Sequence, residues 1–201
     1  MPSLPILFYT FAENFQINIM AESRGYMQHY AMLYGAYLGV FWIVGALFFP
    51  LGLGNPLLFL VFISFVLCGP FIAYRYVRAY RNSACGGYIS FIHGWMFTVL
   101  MYMFAALLAA AAHYVYFRFI DQGYILNTYA ALVDQFFTQG SSDAAGMVAY
   151  KEQIEMALDQ LSMLTPIEIT LQLFSNNVFW GVFLAIPTAL FAMKRVPPLN
   201  Q

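Results

Sequence analysis

The sequence predicts an all-α membrane protein with four transmembrane helices and an outer helical hairpin between spans three and four. The first indication is composition, because 62% of the 201 residues are hydrophobic and only 8% are charged. A soluble domain carries roughly 25% charged residues. The second indication is that the apolar residues gather in four runs whose interiors carry no Asp, Glu, Lys or Arg. Such a chain must use lipid as part of its solvent, so the bilayer is its first predicted partner.

The four apolar runs are long enough to cross a membrane. They extend from about Tyr30 to Phe49, Leu57 to Tyr74, Ser90 to Tyr116 and Ile169 to Met193. About 20 residues cross a hydrocarbon core of roughly 30 Å, so the first two fit closely and the last two must tilt or project into water. The segment from Pro50 to Pro56 predicts a tight turn between antiparallel spans. We treat residues 26–201 as one membrane domain. Residues 1–25 form a tail that is either an interfacial amphipathic helix or loosely ordered.

The basic residues predict the orientation of the spans. Six of the eight fall on one side of a four-span arrangement, and only Arg118 and Lys151 fall on the other. The six are Arg24, Arg75, Arg78, Arg81, Lys194 and Arg195. Because cytoplasmic loops carry an excess of Lys and Arg, both termini and a loop from Arg75 to Gly87 are predicted to be cytoplasmic.

The outer region, residues 118–166, is predicted to contain two helices. The first spans Asn127 to Gln139, and Ser141-Ser142-Asp143 supplies N-cap chemistry for a second helix that ends before Pro166. Apolar residues recur along the second helix at spacings of three and four, which is typical of a docking seam. They are Met147, Tyr150, Ile154, Ala157, Leu161 and Leu164. The first outer helix, the membrane surface or another chain can cover this seam, and we expect part of it to remain available to a partner or the membrane surface.

Small residues predict where helices approach closely. Gly35 and Gly39 form a GxxxG pattern in the first span, which lets two backbones come together. The pattern serves either a dimer or partner interface or, the reading we favour, packing within the chain. Ala105, Ala109 and Ala112 in the third span offer a matching surface.

Two polar groups are candidate binding sites. Gln172, Asn176 and Asn177 lie in the outer half of the fourth span, where amides either line a small polar cavity or bond across helices. Arg75, Arg78 and Arg81 are candidate contacts for lipid phosphates, although the orientation of the chain alone explains them and is the interpretation we favour.

Nothing in the sequence predicts an enzyme, a cofactor or a metal site. HExxH, GxSxG, P-loop and GxGxxG patterns are absent. None of the three histidines has a second ligand at a suitable spacing. The spans carry no charge at their centres, which disfavours ion and proton pathways. The net charge of -1 offers no field for nucleic acid.

Several short motifs, in order, resemble a known family. They are Tyr34-Gly35-Ala36-Tyr37-Leu38-Gly39, Tyr80-Arg81, Gly86-Gly87-Tyr88-Ile89-Ser90-Phe91, Phe119-Ile120-Asp121, Ser162-Met163 to Pro166, and Lys194-Arg195. Over about residues 26–195 the chain resembles the bacterial membrane proteins of domain-of-unknown-function family 4199. The resemblance implies a four-span protein of the Gram-negative bacterial inner (cytoplasmic) membrane with no assigned activity, so the outer hairpin predicted from the basic residues would be periplasmic. It also implies genes that neighbour those of polyprenyl-phosphate glycosyltransferases.

Taken together, these features predict a non-enzymatic accessory or scaffold subunit of a cell-envelope inner-membrane complex. Its partner would be a membrane protein, with a polyprenyl-phosphate glycosyltransferase as one candidate, or a second copy of the chain. The alternative is a small transporter or lipid-handling protein that uses the Asn176–Asn177 region and the prolines within spans two and four.

Overall fold

A computed structural model describes residues 4–139 and 145–194, and side chains within 25–138 and 148–194. This part of the chain is helical, as the sequence predicts. The helices are α1 Leu4–Gly52, α2 Pro56–Ala84, α3 Phe91–Val115, α4 Tyr124–Gln139, α5 Ala145–Ser162 and α6 Pro166–Ala192, and one π-helical turn, Tyr116–Ile120, follows α3. Two residues outside the helices, Ile89 and Lys194, pair as an isolated antiparallel bridge.

Four segments are long and apolar enough to cross a membrane, which indicates a multi-pass membrane protein. They are Gly25–Gly52, Pro56–Ala84, Phe91–Ile120 and Pro166–Ala192. The shortest has 27 residues and is about 40 Å long at 1.5 Å per residue. Each span therefore exceeds the roughly 30 Å hydrocarbon core and reaches into the headgroup regions.

Two helices run further than the sequence predicts. α1 continues through the predicted tail without a break at residue 25, since no Pro or Gly interrupts Ile6 to Arg24. The predicted loop from Arg75 to Gly87 is wrong, because α2 continues to Ala84 and carries all three arginines. Arginine is a good helix former, so the three charges do not end the helix. The helix ends just before Gly86 and Gly87, which have φ of 62° and 86°.

Side chains at the helix starts explain the remaining boundaries. The Asn55 side chain accepts a hydrogen bond of 3.0 Å from the Leu57 N–H. Asp121 accepts bonds of 3.1 and 3.2 Å from the N–H groups of Gly123 and Ile125, so α4 begins at Tyr124, earlier than predicted. The predicted N-cap at Ser141-Ser142-Asp143 lies outside the described residues.

Helix α3 lies at the centre of the bundle. It packs against both α1 and α6, while α2 packs mainly on α1 and touches α6. In the most apolar stretch of the span that begins with α3, 39% of the residues are buried, whereas in that of α2 only 11% are buried. Small side chains account for this position, because Ala105, Ala106 and Ala109 are fully buried and allow neighbouring helices to approach.

Glycines allow the closest approaches to α3. A Cβ placed on Gly35 would lie 2.7 Å from the carbonyl oxygen of Met101, and one on Gly39 would lie 3.1 Å from that of Ala105. The GxxxG pattern of α1 thus packs on α3 of the same chain. Ala109 is buried in α3 and Ala112 is half-buried. On the other side of α3, a Cβ on Gly181 would lie 3.0 Å from the Cβ of Tyr102.

Candidate functional site

The basic end of the bundle, where α2 and α6 end and α3 begins, is held together by hydrogen bonds to backbone groups. The Arg81 guanidinium donates a hydrogen bond of 2.8 Å to the Ala192 carbonyl at the end of α6. Ile89 and Lys194 exchange two backbone hydrogen bonds of 3.1 Å each. A cation is favourable at the C-terminus of a helix, so Arg81 has a structural role. This hydrogen bond distinguishes Arg81 from Arg75 and Arg78, with which the sequence analysis groups it.

A cluster of aromatic side chains lies just inside the basic end, and the sequence reasoning missed it. The Tyr80 and Phe97 rings stack with centroids 3.9 Å apart, and those of Tyr34 and Tyr76 with centroids 5.0 Å apart. The Tyr80 hydroxyl lies 2.9 Å from Nε2 of His93. The available signal was the spacing of tyrosines four residues apart on both α1 and α2, which places each pair on one helix face. The phenol and the imidazole satisfy one another and join α2 to α3. The stacked Tyr34 and Tyr76 rings join α1 to α2, so the cluster stabilises the contact of all three helices.

Cys85 adjoins this cluster in the connection after α2. Its side chain is half-buried, and burial raises the pKa of the thiol, while the Tyr80 hydroxyl acts in the opposite direction. The thiol is therefore protonated at neutral pH and is a weak nucleophile. Within the part of the chain that the structure describes, no three His, Cys, Asp or Glu residues are grouped so as to hold a metal ion.

Arg75 and Arg78 point away from the bundle, unlike Arg81. Both are exposed and line an open groove of about 550 Å³ together with Tyr74, Ala79 and Asn82. The guanidinium carbon of Arg78 lies 5.7 Å from the centre of the Tyr74 ring. Among the described side chains, the salt bridges involve Lys151 alone, so the described acids leave both arginines unpaired.

The amides of α6 do not converge inside the bundle. Gln172 and Asn176 lie on the exposed side of the helix and Asn177 is half-buried. They line neither the groove beside Arg75 nor the groove on α4 and α5 described below. Their placement favours contact with another helix over a cavity within the chain.

Helices α4 and α5 form a hairpin at the opposite end from Arg81. Lys151 on α5 lies 2.9 Å from Asp134 on α4 and 3.4 Å from Glu155. The hydrogen bonds that the Lys151 ammonium donates to these carboxylates, to Asp134 first, raise its pKa. The ammonium therefore remains charged at neutral pH and links the two helices.

Only part of the predicted docking seam is covered by α4. A groove of about 190 Å³ lies between the helices, lined by Tyr129, Leu132, Val133, Phe136, Phe137, Tyr150 and Ile154. Ile154 and Leu164 are half-buried, whereas Tyr150 is 60% exposed and Leu161 46% exposed. The Met147 side chain lies outside the described residues. We call Leu132, Phe136, Tyr150, Ile154 and Leu161 the hairpin face.

The fold and these surfaces define a helical multi-pass membrane protein with an apolar hairpin outside its spans. The chain belongs to the protein family of unknown function DUF4199, whose family model matches residues 33–194. The resemblance seen in the sequence motifs is thereby confirmed. No curated protein and no solved structure matches the chain.

Proposed function

We propose that this protein is a non-enzymatic accessory or scaffold subunit of a cell-envelope complex in the bacterial inner membrane. Both termini and the basic end lie in the cytoplasm in this proposal, and the hairpin lies in the periplasm. The observation that carries the proposal is the hairpin face. Phe136 is 66% exposed and Tyr150 60% exposed, although α4 and α5 lie outside the four membrane spans. Apolar side chains grouped on a surface outside lipid indicate a binding partner.

The partner is itself a membrane protein, because a second surface favours contact within the bilayer. Asn176 lies ten residues inside α6, which begins at Pro166, and is thus about 15 Å from the start of that helix. An exposed amide at this depth lacks water and forms hydrogen bonds with a neighbouring helix. A polyprenyl-phosphate glycosyltransferase is the partner that the family resemblance suggests. The outward position of Asn176 weighs against the alternative of a transporter, which would need the amide to face a pore.

Photo-crosslinking from the hairpin tests the proposal. A benzoylphenylalanine placed at Leu161 should crosslink to one membrane protein in intact cells, and the same protein should copurify in mild detergent. Phe136→Glu should abolish both, because a charge on the hairpin face must be desolvated on binding. Thr138→Glu is the matched control, since it adds the same charge on α4 at an exposed polar position.

The two variants separate docking from other effects of charge. Membrane fractionation checks that both variants insert, and circular dichroism checks that both remain helical. If Phe136→Glu copurifies with the same protein as fully as Thr138→Glu does, the hairpin face is not the docking surface and the hairpin is a self-contained cap.

A further inference from the structure

Helix α2 carries one continuous exposed stripe that changes from apolar to basic along its length. Successive exposed positions are three or four residues apart and so lie on one helix face. They are Leu57, Leu60, Ser64, Leu67, Phe71, Arg75, Arg78 and Asn82. Leu67 is 64% and Phe71 72% exposed, which is the exposure expected of side chains that meet lipid tails. The arginines therefore continue a lipid-facing surface.

The length of α2 places the arginines at the level of the headgroups. Arg75 lies nineteen residues beyond Pro56, where α2 begins, which corresponds to about 28 Å at 1.5 Å per residue. This distance is close to the roughly 30 Å thickness of the hydrocarbon core, and headgroups occupy the next several Å. Arg78 lies one helical turn further and is at phosphate depth.

The side chains around the two arginines are suited to binding an anion. Arg75 and Arg78 are unpaired with described carboxylates, and the Tyr74 ring lies under the Arg78 guanidinium. Such a contact holds the guanidinium in place without using its N–H donors. The Asn82 amide adds a neutral donor at the rim of the groove. Planar guanidinium groups bind phosphate oxygens in pairs of hydrogen bonds.

We propose that Arg75 and Arg78 bind the phosphate of an anionic phospholipid, with its acyl chains along Leu67 and Phe71. The continuity of the groove with the apolar stripe favours a lipid over a soluble phosphate. Arg81 lies outside the site, because it is half-buried off the exposed stripe and its guanidinium donates to the Ala192 carbonyl and to the side-chain oxygen of Asn82. This site is independent of the hairpin and of the proposed accessory role.

Native mass spectrometry of the full chain in mild detergent tests the site. Phosphatidylglycerol is titrated against phosphatidylcholine for the parent, Arg75→Gln, Arg78→Gln and the double variant. Each substitution should weaken phosphatidylglycerol binding about fivefold, the ratio that corresponds to roughly 1 kcal/mol for one basic residue at an anionic surface. Arg118→Gln is the matched control, since it removes an exposed arginine at the opposite end of α3, and it should leave the affinity unchanged.

Further measurements distinguish a lipid from a soluble phosphate, and paired hydrogen bonds from charge alone. Excess inorganic phosphate should not displace the lipid, and displacement would overturn the choice of a lipid ligand. Arg78→Lys keeps the charge but loses paired hydrogen bonds, so its affinity should lie between those of the parent and Arg78→Gln. The proposal is overturned if Arg75→Gln and Arg78→Gln bind phosphatidylglycerol as the parent does, or if Arg118→Gln weakens binding equally.

Discussion

Replacing Gly35 by alanine tests whether α1 and α3 depend on direct backbone contact. The added methyl carbon would lie 2.7 Å from the Met101 carbonyl oxygen and 2.7 Å from Cβ of Phe104. Ordinary contacts begin at 3.4 Å, so α1 and α3 must separate by about 0.7 Å. Neither neighbour can rotate away, because one is backbone and the other is attached directly to it.

The cost of this separation follows from the lost contacts. A gap of about 0.5–1 Å forfeits a quarter to a half of the dispersion energy of each contact, and a buried side chain the size of Leu38 makes about 40–60 contacts of ~0.1–0.2 kcal/mol. If half of these contacts cross to α3, the loss is about 1–2 kcal/mol, within the usual range for overpacking. Alanine also favours a helix over glycine by up to about 1 kcal/mol, which offsets part of the loss.

A matched substitution at a second glycine of α1 gains the same helix propensity, so comparing the two variants isolates the cost of the lost contacts. Gly25 has nothing within 4 Å of an added Cβ, so Gly25→Ala gains helix propensity without a clash. The free energy of unfolding, measured by titrating SDS into mild-detergent micelles and followed by circular dichroism, should be lower for Gly35→Ala than for Gly25→Ala by about 1–2 kcal/mol. Equal stability of the two variants would refute the contact-based reasoning.

Two further predictions concern orientation and the basic end. Single cysteines replacing Ser83 and Gln160, in a background without native cysteines, should be labelled from opposite sides of the membrane in intact cells. Equal labelling of both by an impermeant maleimide would rule out the four-span topology. Arg81→Gln removes a hydrogen bond to the Ala192 carbonyl. Because hydrogen bonds to charged groups contribute about 1.5–3 kcal/mol, the variant should unfold at a lower SDS concentration than the parent. Arg78→Gln serves as the exposed control, and a loss of stability equal to that of Arg81→Gln would contradict the structural role.

The arginines show where reading the sequence was insufficient. Arg75, Arg78 and Arg81 occur on one helix at spacings of three, and all report the side of the membrane in the same way. Only the packing of α6 against α2 brings the Ala192 carbonyl to Arg81 and leaves Arg75 and Arg78 exposed. The division of one motif into a structural residue and a candidate binding pair depends on a contact between residues 111 positions apart.

What the sequence by itself determined is the class of the protein and the number of its spans. The transfer of apolar residues from water to lipid is a property of each segment, so charge-free runs and the turn from Pro50 to Pro56 can be read locally. The sequence also contained the GxxxG pattern and favoured its packing within the chain, and the structure shows the contact of Gly35 and Gly39 with α3. Only the tertiary structure decided that Gly35 faces Met101, that Tyr80 meets His93, and that Asn176 faces outward. Most positions around each span are apolar, so the hydrophobic pattern alone does not reveal which face packs inward. That choice depends on the fit of small and large side chains between helices distant in the sequence.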